Sequence, residues 1–398
     1  MQITRHAVAL TALMASTGCP GLDPDPSENE TTGAESTGSV SPGTTEAGTT
    51  GGSSTASESS DTGTGAGASE STGSGSDTMA VDDTSSDGTT GERPCLAPSE
   101  LGVFVPEQGA AEGFDIDGST LYLASTSAGV LAIDISDPSM PMQIGQYDFG
   151  SGTLAHRVAY AAGTVYVGLR GSGYAIVDAT DPTALDLLAE DDTIEARDVA
   201  VAGSTLLVAD NDGLLSYDVS NPAMPMPLTT DLVLPGATES VEVSGDVAFV
   251  ASTGHGLSAV DISDPGALAE LSSLSIGNGS SHLAVEGSIV YVSYADGLSI
   301  VDASNPAMMV EIGLYERERA WAVDTDLSTV FLTGRDTVST QVPFLAVLDA
   351  SDPGAVLELD TTNDAFDDPV WLRFSDGLLY ASVEDDDGLH VLDACPTE

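Results

Sequence analysis

The side chains best suited to holding a ligand are scarce in this chain, and several of them share equivalent positions of a repeat. When the copies are aligned on the large residue of their second segment, one set of positions reads Glu112, His156, Arg197, Glu239, Ser281, Trp321, Val370. The neighbouring set reads Gly113, Arg157, Asp198, Ser240, His282, Ala322, Trp371. Both tryptophans, two of the nine arginines and two of the five histidines of the protein fall in these fourteen positions. Trp faces beside guanidinium and carboxylate groups suit a sugar or a peptide, because aromatic and Arg side chains are frequent binding hot spots. The candidate ligand-binding residues are therefore His156, Arg157, Arg197, Glu239, His282, Trp321 and Trp371. Glu239, His282 and Arg197 could also serve as acid, base and cation of a hydrolase or lyase. The bland alternative is that these groups pair with one another and satisfy a polar rim.

The elements that must position them repeat along residues 111–398. An apolar run ending in Asp recurs at Asp134, Asp178, Asp218, Asp261, Asp302, Asp349 and Asp393, with spacings of 44, 40, 43, 41, 47 and 44 residues. That period is expected of four-stranded propeller blades and is too long for leucine-rich or ankyrin repeats. Each copy reads as four short alternating strands. The second carries a large residue at one place: Tyr122, Tyr166, Leu207, Phe249, Tyr291, Phe331, Tyr380. The third ends at the Asp and breaks in an Asp-Pro or Asn-Pro turn, as at Asp137-Pro138 and Asn305-Pro306. Pro fixes φ there while the preceding side chain accepts a local N–H, so the repeated aspartates read as turn formers and not as one active site.

The seventh copy stops soon after Asp393, before a fourth strand. Pro98 to Phe104 carries the missing pattern, a Pro leading into an aliphatic-Gly-x-aromatic strand like that of Pro306 to Tyr315. The expected fold is thus all-β, a seven-bladed β-propeller of four-stranded blades with the last blade closed by the N-terminal strand. The same alignment places Cys95 beside the repeat position of Cys395, so a disulfide is expected at the seam. The motifs at Ala196–Val201, Ala259–Pro265 and Leu298–Asp302 resemble the LVIVD-repeat family of bacterial surface propellers, over about residues 95–398. Blades two and six depart most from the pattern, the sixth through an insertion near Thr337 to Pro343. The resemblance implies architecture and leaves activity open, since propellers host binding modules and enzymes alike.

Ahead of the repeats, residues 1–18 read as a signal peptide, with Arg5 and His6 before an apolar run too short to span a bilayer. Ser16-Thr17-Gly18-Cys19 resembles the lipobox of bacterial lipoproteins, in which the Cys carries the lipid, although Ser16 stands where Leu is usual. Residues 19–93 then read as the lipidated Cys19 followed by an acidic Ser/Thr/Gly-rich stalk without enough apolar surface to fold, and residues 94–398 as the propeller. The stalk behind a lipobox resembles surface lipoproteins of myxobacteria. An exported protein held at the outer membrane or cell surface is expected, touching the membrane only through its lipid anchor.

Sixty-three acids against nine bases give a net charge of −54, which excludes nucleic acid as a partner. A protein or glycan at the cell surface is the expected partner. No cofactor is expected; Ca²⁺ at Asp385-Asp386-Asp387-Gly388 or Glu190-Asp191-Asp192 is the weaker alternative, since neither run has the spacing of a calcium loop.

Overall fold

The computed structural model describes residues 98–394 apart from 229–230, 278, 337–341, 364–368 and 384–387. Cys19, Cys95 and Cys395, the expected signal peptide and stalk, Asp385 to Asp387 and most of the insertion after Asp336 lie outside the described residues.

Seven antiparallel sheets form, one per copy of the repeat. Strands one to four of blade one, Ala111–Asp117, Thr120–Ser125, Gly129–Asp134 and Met142–Tyr147, set the plan that the next five copies follow. Blade three varies it, with its outer strand divided into Met226–Pro227 and Leu232–Val233, both paired with Gly213–Asp218. Blade seven takes Pro369–Ser375, Leu378–Val383 and Gly388–Asp393 from the end of the chain and Ser99–Phe104 from its beginning. The ring therefore closes by the N-terminal strand, as the sequence predicts. His390 Nδ1 meets Glu100 Oε2 at 2.8 Å across this pairing.

The core is divided among the blade interfaces. Seven hydrophobic clusters each draw on two adjacent blades, and the one that joins Phe114, Leu121 and Leu131 to Tyr380, Leu389 and Val391 completes the circle. Each of them holds the large second-strand residue of one blade against the next, from Tyr122 to Tyr380, all seven buried. Middle strands such as Gly213–Asp218 and Thr164–Leu169 are covered on both faces, so they read as apolar runs with little alternation.

Two local devices set the blade geometry. The third strand ends where its Asp accepts the N–H two residues on: Asp134 from Ser136, Asp178 from Thr180, Asp218 from Ser220, Asp261 from Ser263, Asp302 from Ser304 and Asp349 from Ser351. These bonds, from the Ser or Thr side chain and backbone, hold the carboxyls below the usual range. The aspartates are turn formers, as their types and spacing predict. In the fourth strand, a register slip of one residue precedes Gly102, Gly145 and Gly313. A Cβ on any of these would lie 2.6, 2.0 and 2.0 Å from the carbonyl oxygens of Pro138, Pro182 and Pro353 in the following blade. The glycine of the repeat is thus a close-approach glycine at the outer seam. In blade four Ser272 takes its place, and its hydroxyl donates to the Pro306 carbonyl at 2.6 Å.

Candidate functional site

In every blade the first strand lies at the centre of the ring. Its side chains alternate, so residues 113, 157, 198, 240, 282, 322 and 371 share one face of their strands with those two further on. The charged members, such as Asp115, Arg157, Glu242 and Arg373, gather in the channel, while Ala200, Ala284 and Ala322 pack into the cores between blades. The register of this strand against its neighbour slips between Ala111 and Phe114, Ala155 and Arg157, Thr238 and Ser240, Ala320 and Val323, and Pro369 and Trp371. The residues caught in these bulges include Glu112, His156, Glu239, Trp321 and Val370. A bulge re-aims a side chain, which is how two consecutive residues of one strand can both serve the channel mouth.

One cleft of about 300 Å³ opens at this mouth, lined by His156, Arg157, Arg197, Glu239 and His282 together with Arg170, Glu195 and Ser281. Arg157 is its most constrained member, only 7% exposed. Its Nη2 donates to His282 Nε2 at 2.9 Å, and its Cζ stands 4.3 Å from the centre of the Trp371 ring. The His282 ring meets that Trp371 edge-on at 4.7 Å. Blades two, five and seven are joined through these three side chains. Arg157 Nε and Nη1 and Trp371 Nε1 find no hydrogen-bond partner among the described residues.

Arg197 Nη1 donates to both carboxylate oxygens of Glu239, at 2.8 and 2.9 Å, and its Nε donates to Asn211 Oδ1 at 2.7 Å. Asn211 Nδ2 in turn donates to Glu195. His156 Nδ1 contacts the Arg197 carbonyl at 3.2 Å, which makes it the protonated nitrogen, and its Nε2 stands 3.7 Å from Glu112. Burial first, and then the nearby Arg157, hold the imidazoles of both His156 and His282 well below their usual pKa. Both rings are neutral at physiological pH. Burial also weakens the hold of Arg157 on its proton, with Asp198 and Glu112 pulling the other way.

Six of the seven candidate residues therefore meet at or beneath one cleft. Trp321 does not line it; its carbonyl accepts the Ser293 hydroxyl at 2.5 Å, and Arg335 stands 5.9 Å from its ring.

Below the mouth, two residues further along the first strands, lies a charged layer that the alignment did not single out. Arg373 Nη2 stands 3.4 Å from Asp115 and its Nη1 3.8 Å from Glu242. Burial would weaken the hold of Arg373 on its proton, but Glu242, Asp324 and Asp115 reverse this and keep the guanidinium firmly charged. Glu242 is pushed up to about 7 by burial, against the pull of Arg373 and with the help of Asp324. Counting by two along the first strands would have found this layer. Arg170 was missed for a different reason: it comes from the end of a second strand, and no first-strand alignment reaches it.

Three channel carboxylates also bind blade to blade. Asp115 accepts the N–H of Tyr160 at 2.8 Å, Asp198 that of Val241 at 2.9 Å, and Asp324 that of Phe374. Each donor belongs to the first strand of the following blade.

LVIVD repeat sequences match residues 108–149, 195–228, 235–275 and 278–317, which are blades one, three, four and five. The chain carries LVIVD repeats. The unmatched blades include two and six, whose fourth strands hold Ala189 and Asp360 where the LVIVD blades one and five have Gly145 and Gly313. Among curated proteins no sequence matches this chain. Solved structures similar to the ring include the WD40 β-propeller domain of Doa1 (TM-score 0.58, 10% identity, 75% of this chain and 97% of that one). BamB from Moraxella catarrhalis is also similar (0.54, 13%, 75% and 93%), as is the computationally designed Ika8 protein (0.53, 12%, 73% and 98%). At these identities the likeness shows the fold alone, and the fold with its LVIVD repeats suggests a binding or scaffold module.

Proposed function

We propose that the protein is an exported cell-surface lipoprotein, anchored through Cys19 and raised on its acidic stalk, whose propeller binds a protein or glycan at the channel mouth. The observation that carries this reading is the cleft of about 300 Å³ whose wall contains Arg157, clasped by His282 and Trp371, beside the exposed Arg170. A concave site with a few convergent polar groups is the usual form of a ligand site. A hydrolase or lyase is the less supported reading. Glu239 is clamped through both oxygens by Arg197, and the acceptor nitrogen of His282 is engaged by Arg157, so neither is poised to move a proton.

The test is to probe glycan and protein arrays with the full chain and with a Glu239→Gln/His282→Gln variant, and to assay both on generic glycosides. Array binding that the variant loses, with no turnover by the parent, is expected. Turnover by the parent, or array binding that the variant retains, would overturn the reading. For the anchor, an alkynyl fatty acid fed to expressing cells should label the parent and not Cys19→Ala; an unlabelled parent would end that part.

A further inference from the structure

The chain carries a net charge of −54, yet Arg157, Arg170 and Arg197, three of its nine arginines, line one cleft of about 300 Å³. Their pairing differs. Arg197 is neutralised by Glu239. Arg170 is exposed and forms no ion pair among the described residues. Arg157 is buried, stacked on an uncharged ring, bonded to a neutral imidazole, and left with two nitrogens, Nε and Nη1, without acceptors. Asp198 acts on Arg157 only at longer range: its oxygens accept the N–H groups of Val199 and Val241, and no ion pair within 4 Å joins it to Arg157 among the described residues. A buried cation without a contacting counter-ion is costly, and buried donors normally find partners. Both unpartnered nitrogens are shielded from solvent, so an oxyanion from outside reaches them only as the side chains around them give way.

We infer that the mouth cleft is a receptor for one small carboxylate, of the size of a single sugar acid, held between Arg157 and Arg170. The inference rests on the binding reading above and specifies its ligand. Two magnitudes choose a small ligand over an acidic polymer. The cleft is at the low end of small-molecule sites, which run from about 300 to 1,000 Å³. At a Debye length of about 8 Å, an anion seated in the cleft meets its three arginines against Glu195 and Glu239, whereas an extended polyanion would also meet the acidic surface outside. Guanidinium groups match planar carboxylates well, and the charge-assisted bonds gain strength in a partly buried site.

The test is a titration of the full chain with sodium galacturonate at constant ionic strength, read by calorimetry and by tryptophan fluorescence, for which Trp371 against Arg157 is a built-in reporter. Galactose serves as the neutral control and inorganic phosphate as the second anion. Saturable binding of galacturonate is expected, at least tenfold weaker in Arg170→Gln and lost in Arg157→Gln, with galactose inert and phosphate weaker. Because Arg170 is exposed, its variant keeps the test decisive should Arg157→Gln fold poorly. No saturable signal with galacturonate, unchanged affinity in Arg170→Gln, equal binding of galactose, or tighter binding of phosphate would each overturn the inference. Mouth-dependent binding of a neutral array glycan alongside a negative galacturonate titration would sink this inference while leaving the binding reading intact.

Discussion

Arg157 Nη2 donates to His282 Nε2 at 2.9 Å, from blade two to blade five. An arginine has only donors, so the accepting nitrogen of His282 must be bare and its Nδ1 must carry the proton. The folded ring therefore resists a second proton, and its pKa lies well below that of an unfolded histidine. As pH falls through about 6.5 the unfolded chain takes up a proton that the folded chain refuses, and stability is lost at up to about 1.4 kcal/mol per pH unit. Urea unfolding of the parent and of His282→Gln between pH 7.5 and 5 should show a steeper loss in the parent. Parallel curves would mean that His282 is protonated in the fold.

Glu242 gives the opposite slope. Its folded pKa of about 7 lies above the unfolded value of 4.5, so its contribution is full below about 4.5 and disappears as pH rises through 7. The change amounts to at most about 3 kcal/mol, reduced by the solvent that reaches the carboxyl. The stability of Glu242→Gln relative to the parent should rise across this window. A constant difference between the two would place Glu242 in an ordinary, ionised state.

Asp198 accepts two buried N–H groups, one from Val199 and one from Val241 of the next blade. Asp198→Ala strands both donors and should cost about 2–4 kcal/mol in urea unfolding, whereas Asp198→Asn, which keeps one acceptor, should cost less. Equal losses in the two variants would show that the hydrogen bonds are not the source.

Gly145→Ala and Gly313→Ala should each destabilise by about 1–3 kcal/mol or shift the next blade outward, since the added methyl meets a proline carbonyl. Gly354→Ala supplies the comparison for loss of glycine alone, because its φ is not left-handed and a Cβ there comes no nearer than 3.5 Å to another atom, Asp352 Oδ1. Thermal unfolding that ranks Gly354→Ala as the most harmful would refute the close-approach account.

The period of the Asp-ended runs made the blade count legible, because each blade needs the same strand, turn and Pro chemistry. The closing strand was legible for the same reason: Pro98 to Phe104 had the pattern that blade seven lacked. The mouth was legible in composition, since Trp371, Arg157 and His282 are rare residue types in this chain and stood at equivalent places. The bulges that turn His156 and Glu239 into the mouth were not, because a bulge is set by backbone register and leaves no fixed residue type behind. Trp321 was grouped with the cleft by alignment, but its bulge belongs to blade six, and its ring lies by Arg335. The pairing of Arg373 with Glu242 and Asp115 was hidden because it joins side chains from three distant segments of the chain.

The seam also fixes an order of assembly. Glu100 leaves the ribosome 290 residues ahead of the His390 that it bonds. Until the last strands emerge, Ser99–Phe104 has nothing to pair with and the interface between Phe114 and Tyr380 has only one side. Such long-range pairing is slow and leaves strand edges open meanwhile. The ring can latch only once Gly388–Asp393 has been made, so a nascent chain of this design stays threadable until then.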